Sequence, residues 1–368
     1  MEKKKVVVLL MGICLAVAIL GYASVTVFAQ KAEEKNVIML RYSHIFPPLP
    51  SLPGQIVSHF GKRIEEKTGG RVKVTIYPAG ALVKPAEIFN GVLKGLTDIG
   101  CTDPAYTPGS YPSMDVADCP FATVISYAHC RAAYDFVDKF KPKEFGDFVI
   151  FFPGSPGPFV IASRIGAILK PEDLKGRTVR VTGGLHVDWV KAVGASPVLL
   201  PSIEIYEALS KGALDAAIVP MEMAKGFKMY EVARDWTLAP YLAWTAHWHV
   251  MSLEKWRTLP KDIQDKVNEA AEEMREWSAR TWWMAHLDGM AYAKAHGAKV
   301  TEIPKTEWPA WEKYAGPLEA GYIKKTEAKG LPATEYLKYY KERIKYWEGK
   351  APDEKALGEW AKKELVLK

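Results

Sequence analysis

Cysteine is scarce. Four occur in 368 residues, at positions 14, 101, 119 and 130. No two have the CxxC spacing, which excludes a zinc ribbon and a thioredoxin-type redox pair. Also missing are a GxSxG elbow, an HExxH helix, a Walker loop and a convincing dinucleotide fingerprint. We therefore assign no catalytic residue, no metal and no cofactor, and Arg180, without a paired base, suggests binding rather than turnover. Excess charge is small as well. The formal net charge is +6, with Lys and Arg scattered among Asp and Glu, so no nucleic-acid-binding face is expected. Past residue 20 no apolar run is long enough to cross a bilayer.

The one long apolar run lies at the N-terminus, over 6–20, behind the basic Lys3, Lys4 and Lys5. With Val27-Phe28-Ala29 following, it reads as an export leader over 1–29, cleaved near Ala29, so the mature chain is expected to be exported. An uncleaved anchor is the alternative, because the run approaches spanning length. Ile13 stands where a lipoprotein signal needs a small residue before Cys14. Export permits a disulfide, but the three remaining cysteines leave at least one free thiol, and burial as free thiols is expected for most.

What the mature chain does have is a β-α-β rhythm. Positions 38–43 and 72–76 alternate as strands, and Ile56, Phe60 and Ile64 mark one face of a helix over 55–67. A helix over 85–94 and a strand over 97–101 follow. This order predicts a mainly parallel sheet covered by helices. Ligands in such sheets bind at the carboxyl ends of the strands, here 44–48, 78–82 and 102–106. Pro153-Gly154-Ser155-Pro156-Gly157-Pro158 breaks the pattern and reads as a crossing into a second lobe. That lobe repeats it, with strands over 159–163, 178–182, 196–200 and 215–219 and helices over 186–193, 202–211 and 223–232. Ala239-Pro240 marks the return crossing. A helix over 262–296, roughly 50 Å long at 1.5 Å per residue, exceeds the size of one lobe and should brace both. The division is a leader at 1–29, a first lobe at 30–155 rejoined by about 241–285, a second at 156–240 rejoined by about 286–330, and C-terminal helices at 331–368.

Arg180 sits inside the strand after the Gly176 turn, between Val179 and Val181. A guanidinium there is costly unless paired. Its partner is either an internal Asp or Glu, or a ligand carboxylate gripped bidentately.

The chain resembles the solute-binding receptors of tripartite ATP-independent periplasmic (TRAP) transporters, of the dicarboxylate-receptor (DctP) family. The resemblance rests on Tyr42-Ser43-His44-Ile45-Phe46-Pro47-Pro48, Glu66 to Val72, Tyr77-Pro78-Ala79-Gly80, Gly95 to Gly100, Thr102-Asp103-Pro104-Ala105-Tyr106 and Asp118-Cys119-Pro120-Phe121. In the second half it rests on Leu174 to Val181, Val193 to Pro197, Tyr206-Glu207-Ala208-Leu209, and Trp256 with Leu259-Pro260. It implies a periplasmic binding protein-like α/β fold, with two lobes joined by a hinge and one long helix spanning both. It implies a monomer that hands a small organic carboxylate to small and large TRAP membrane subunits for ion-gradient-driven uptake. It also implies that Arg180 clamps the ligand carboxylate. Two other readings stay open: a sensory binder without a transporter, and an exported enzyme.

Three departures from the family pattern bear on the ligand. The first crossing runs into apolar Pro158-Phe159-Val160, the Asp215 strand ends in Ala217-Ile218-Val219-Pro220, and the return crossing reads Pro240-Tyr241-Leu242-Ala243-Trp244. Polar groups are lost and aromatic surface gained, which points to a monocarboxylate with an apolar or aromatic body. The lining candidates beside Arg180 are His44, Phe46, Tyr106, Val219, Glu222, Tyr241 and Trp244. Single aromatics, Trp189 among them, are more often core than site, and Glu222 reads first as a solvated helix-end carboxylate and second as a group for a cation or a ligand amine. His247-Trp248-His249 puts two imidazoles on one strand face, but without a third ligand they read as packing rather than metal ligands.

Overall fold

A computed structural model describes residues 37–123, 125–242 and 244–366. The leader expected over 1–29 and Cys14 lie outside the described residues.

In chain order the first lobe begins with β1 (Ile38–His44), α1 (Leu52–Lys67), β2 (Val72–Tyr77), α2 (Ile88–Leu93), β3 (Ile99–Thr102), α3 (Ser126–Phe140) and β4 (Phe148–Gly154). The second follows with β5 (Phe159–Ser163), β6 (Thr178–Val181), α4 (Gly184–Ala192), β7 (Ser196–Leu199), α5 (Ile205–Ser210), β8 (Ala216–Pro220), α6 (Met223–Gly226) and β9 (Asp235–Leu238). Then come β10 (His247–Ser252), α7 (Leu253–Thr258), α8 (Lys261–Ala295) and β11 (Lys299–Glu302). The chain closes with α9 (Trp308–Glu312), α10 (Ala315–Glu327), α11 (Ala333–Glu348) and α12 (Glu354–Glu364).

Local chemistry sets many of these bounds. The Ser51 hydroxyl accepts from the Gly54 N–H to open α1, with Pro53 in its first turn. Ile56, Val57, Phe60 and Ile64 form its buried face. The helices expected over 85–94 and 202–211 each open as a 3₁₀ turn, at Pro85–Glu87 and Ser202–Glu204. The one expected over 223–232 stops at Gly226, because Lys228 turns left-handed at φ 54°. Strands β9 and β11 carry no pattern that the sequence reading recognised.

Two sheets result, ordered β2-β1-β3-β10-β4 and β11-β9-β5-β8-β6-β7. Most neighbours are parallel, as expected, but β10 and β5 each run antiparallel to both of their neighbours. These are the strands that enter a sheet directly from a crossing. A chain arriving from the other lobe has no helical crossover to turn it round, so it pairs reversed.

Helix α8 touches both lobes. Ile263, Val267 and Met274 pack with Leu40, Ile56 and Phe60 of the first lobe. One end later, Ala293 packs with Met221 and Trp236 of the second. Arg63 and Lys67 of α1 pair with Glu273, and Lys225 pairs with Asp288. Backbone meets backbone at Gly289, where a Cβ would lie 2.5 Å from the Met221 carbonyl oxygen and 2.8 Å from Glu222 Cα. Both are backbone atoms and cannot swing aside. Gly289→Ala is expected to cost about 1–3 kcal/mol through overpacking, read as a lower thermal midpoint; an unchanged midpoint would contradict this contact. Cys101, Cys119 and Cys130 are all buried free thiols.

Candidate functional site

The carboxyl ends of the parallel strands in both sheets meet across one cavity. Ile45 and Phe46 follow β1, Asp103 and Tyr106 follow β3, and His247 opens the reversed β10 at the same end. Facing them are Arg180 and Thr182 at the end of β6, Ser202 after β7, and Pro220 and Glu222 after β8, with Phe159 beside them. The Tyr106 and Ser202 hydroxyls bridge the two sides at 3.1 Å. Free volume at the centre is only ≈ 20 Å³, room for about one water molecule. The lobes must part to admit anything larger.

Arg180 is 1 % exposed. Its Nε donates to the Leu200 carbonyl at 2.9 Å and its Nη1 to the Ile218 carbonyl at 3.3 Å, while the buried Nη2 has no partner among the described residues. Burial lowers its pKa, opposed by the nearby Tyr106 and Asp103. An arginine nonetheless stays charged. Strand alternation explains its orientation: Val179 and Val181 fill the core between sheet and helices, and Arg180 points the other way.

Asp103 is buried, accepting from the Ala105 N–H at 2.8 Å and from the Thr245 hydroxyl at 2.5 Å. Burial pushes its pKa up to about 6, opposed by those two bonds and by Arg180. His247 Nδ1 lies 3.9 Å from Asp103 Oδ2, but burial takes that imidazole down to about 3, so it is neutral and the contact is no ion pair. Glu222 is 6 % exposed, and burial pushes its carboxyl up to about 8. Among the described residues no group of three or more His, Cys, Asp or Glu is arranged to hold a metal ion.

The structure gathers Arg180, Phe46, Tyr106 and Glu222 at this cavity and places the other candidates elsewhere. His44 lies just behind the wall. Its Nδ1 accepts from the Phe46 N–H at 3.2 Å, shaping the loop that presents Phe46. Val219 points away into the second-lobe core with Val160 and Met221, since its neighbour Pro220 takes the cavity side. Tyr241 turns outward against Trp308, its backbone at φ 52°. Trp244 is buried in the first-lobe core, stacked on His129 with ring centroids 4.5 Å apart. Only its carbonyl reaches across, accepting from His186 Nε2 at 2.8 Å. Phe159 and Pro220 keep the cavity apolar at the first crossing and at the end of β8, while Asp103, Thr182, Ser202 and His247 supply polarity and Phe46, Phe159 and Phe227 the aromatic surface. Asp103 carries a sequence signal in its place at the strand end 102–106, whereas nothing in His247-Trp248-His249 separates a cavity imidazole from a packed one.

The buried carboxyls carry a pH prediction. Glu222 and Asp118 have pKa values raised by burial, to about 8 and well above the usual range respectively. The folded chain thus holds these protons more tightly than the unfolded one. Their contribution to stability is complete below about pH 4 and is lost as pH rises through the folded values. Buried His44, His129 and His247, depressed to about 3, act oppositely but only below about pH 6.5. Between pH 6.5 and 8 the histidines drop out while the buried carboxyls, Asp115 at about 7 included, still act, so the thermal midpoint without added ligand should fall; Glu222 alone accounts for on the order of 2 kcal/mol. A flat or rising midpoint over that window would show these carboxyls to be ionised in the fold.

Relatives agree with this architecture. A solute-binding protein of Albidiferax ferrireducens is 29% identical over 292 residues, covering 75% of this chain and 84% of its own. A TRAP periplasmic solute-binding protein from Desulfovibrio salexigens superimposes with a TM-score of 0.74 at 28% identity, covering 87% of this chain and 99% of that one. One from Rhodoferax ferrireducens, in complex with copurified benzoate, gives a TM-score of 0.80 at 25% identity, covering 85% and 100%. The family description "Bacterial extracellular solute-binding protein, family 7" matches residues 42–325. The chain belongs to that family, DctP, whose members are solute receptors rather than enzymes.

Proposed function

We propose that this protein is the periplasmic receptor of a TRAP transporter and captures a small organic monocarboxylate with an apolar or aromatic body. The ligand sits between the lobes and is passed to small and large membrane subunits for ion-gradient-driven uptake. The observation that carries this reading is Arg180: a permanent charge, buried in the cavity wall, with two carbonyl partners and an Nη2 that has no partner among the described residues. A ligand carboxylate completes its hydrogen bonding and neutralises it. Phe46, Phe159 and Phe227 suit a flat apolar body, and the benzoate held by the Rhodoferax protein is of this class.

Calorimetric titration with benzoate and other monocarboxylates, and with succinate as the dicarboxylate control, tests the reading. One equivalent of a monocarboxylate should bind and then saturate, with a smaller radius of gyration in solution scattering as the lobes close. Continued consumption of the acid would mark an enzyme. Tighter binding of succinate than of any monocarboxylate would overturn the ligand class.

A further inference from the structure

We propose that the ligand carries a hydroxyl group away from its carboxylate, and that Glu222 receives that hydroxyl. The inference rests on the monocarboxylate reading above and adds a second anchor to it.

Glu222 is held by rigid backbone. It follows the end of β8 and opens α6, its carbonyl accepting from the Lys225 and Gly226 N–H groups at 3.2 and 2.9 Å. Gly289 of α8 packs directly on its Cα. The side chain is 94% buried by its 6% exposure, lines the same cavity as Arg180, and leaves Oε2 without a partner among the described residues. A buried carboxyl left unpaired is costly, and native structures rarely leave one so.

The charged groups around it do not supply the partner. Lys225, on its own helix, donates to Asp288 at 2.8 Å. Glu222 also lines an outer groove with Lys225, Gly226, Lys228 and Asp288, its Oε2 beside Gly226, and neither lysine bonds its carboxyl among the described residues. Within the cavity stand Arg180, bonded to carbonyls, Asp103, bonded to Thr245 and Ala105, the neutral His247, and Tyr106, bonded to Ser202. Desolvation is the sole resolved influence on the Glu222 proton and keeps it on the carboxyl up to about pH 8. At neutral pH the group is therefore an uncharged carboxylic acid, with one O–H to donate and an oxygen to accept.

A ligand hydroxyl matches both functions. An ammonium would have to shed a tightly held hydration shell and displace the Glu222 proton. An unsubstituted ring would leave the carboxyl facing carbon. Sites built to hydrogen-bond a hydroxyl discriminate strongly against the analogue lacking it, because their own polar group is then stranded.

The test is calorimetric titration at pH 7 of benzoate and its three monohydroxy isomers, and of phenylacetate and mandelate. The best hydroxy acid should bind at least tenfold more tightly than its parent. Glu222→Leu should erase that ratio, whatever it does to the affinity for the parent acid. Glu222→Gln, which keeps a neutral donor and acceptor, should retain most of it and serves as the control for folding. In the wild type the preference should shrink as pH rises past 8 and the donor is lost; in Glu222→Gln it should not. Hydroxy acids bound no better than their parents, or a preference surviving in Glu222→Leu, would overturn the inference and leave the monocarboxylate reading intact. Failure of every acid, parents included, would overturn both.

Discussion

Arg180→Ala should weaken carboxylate binding by a hundredfold or more. The ligand carboxylate enters a cavity in which this guanidinium is the one cation lining the wall among the described residues. Without it the anion is desolvated and unpaired. A hundredfold loss corresponds to about 2.7 kcal/mol, which is modest for removing one partner of a buried charge-assisted pair. Arg180→Lys should fail substantially too. The arginine uses three directions at once: Nε to the Leu200 carbonyl, Nη1 to the Ile218 carbonyl and Nη2 to the cavity. A single ammonium cannot hold all three. Stability without ligand should change little. Two carbonyls lose a donor, but a desolvated charge is relieved at the same time. No Asp or Glu forms a salt bridge with Arg180 among the described residues, so the mutant should not show the large destabilisation of a broken internal pair. Near-normal affinity in Arg180→Ala would defeat the carboxylate reading.

Gly183→Ala should weaken binding by tenfold or more through lobe closure rather than ligand contact. Gly183 lies between β6 and α4, on the second-lobe side. Its backbone stands at φ 152° and ψ −160°, a region open in practice only to glycine and costing other residues about 1–3 kcal/mol. A Cβ there would lie 2.0 Å from the Ala105 carbonyl oxygen of the first lobe, well inside any tolerable contact. The 103–106 segment would have to retreat, and it carries Asp103 and Tyr106 away from Arg180 and Ser202. The backbone strain persists whether the lobes are open or closed, but the clash exists only when they are closed. The variant should therefore lose some thermal stability without ligand, lose more affinity than that strain accounts for, and contract less in solution scattering on adding benzoate. Wild-type affinity and full contraction would show that this contact does not limit closure.

What the sequence determined by itself was whatever depends on short-range periodicity and turn chemistry. The apolar face of Ile56, Phe60 and Ile64 marks α1, although the helix starts at Leu52 behind the Ser51 cap, ahead of the expected 55; an apolar face at three and four residue spacing runs the length of α8, and alternation sets β1 and β2. The placing of ligand sites at carboxyl ends of strands was enough to reach Phe46 and Tyr106, and valine flanks were enough to turn Arg180 off the core face. Tertiary structure alone decided which aromatic or polar side chain faces the cleft. Trp244 and Tyr241 are as aromatic as Phe159 and Phe227, but one stacks on His129 of α3, distant in sequence, and the other meets Trp308 of α9 edge to face. The reversed pairing of β5 and β10 was equally hidden, because strand direction depends on the route a chain takes between lobes and leaves no mark on side-chain alternation. So was the state of Glu222: a glutamate at a helix start reads as solvated until α8, through Gly289, is laid across it and the water is gone. Burial by distant segments sets a carboxyl's proton affinity, and no local pattern records it.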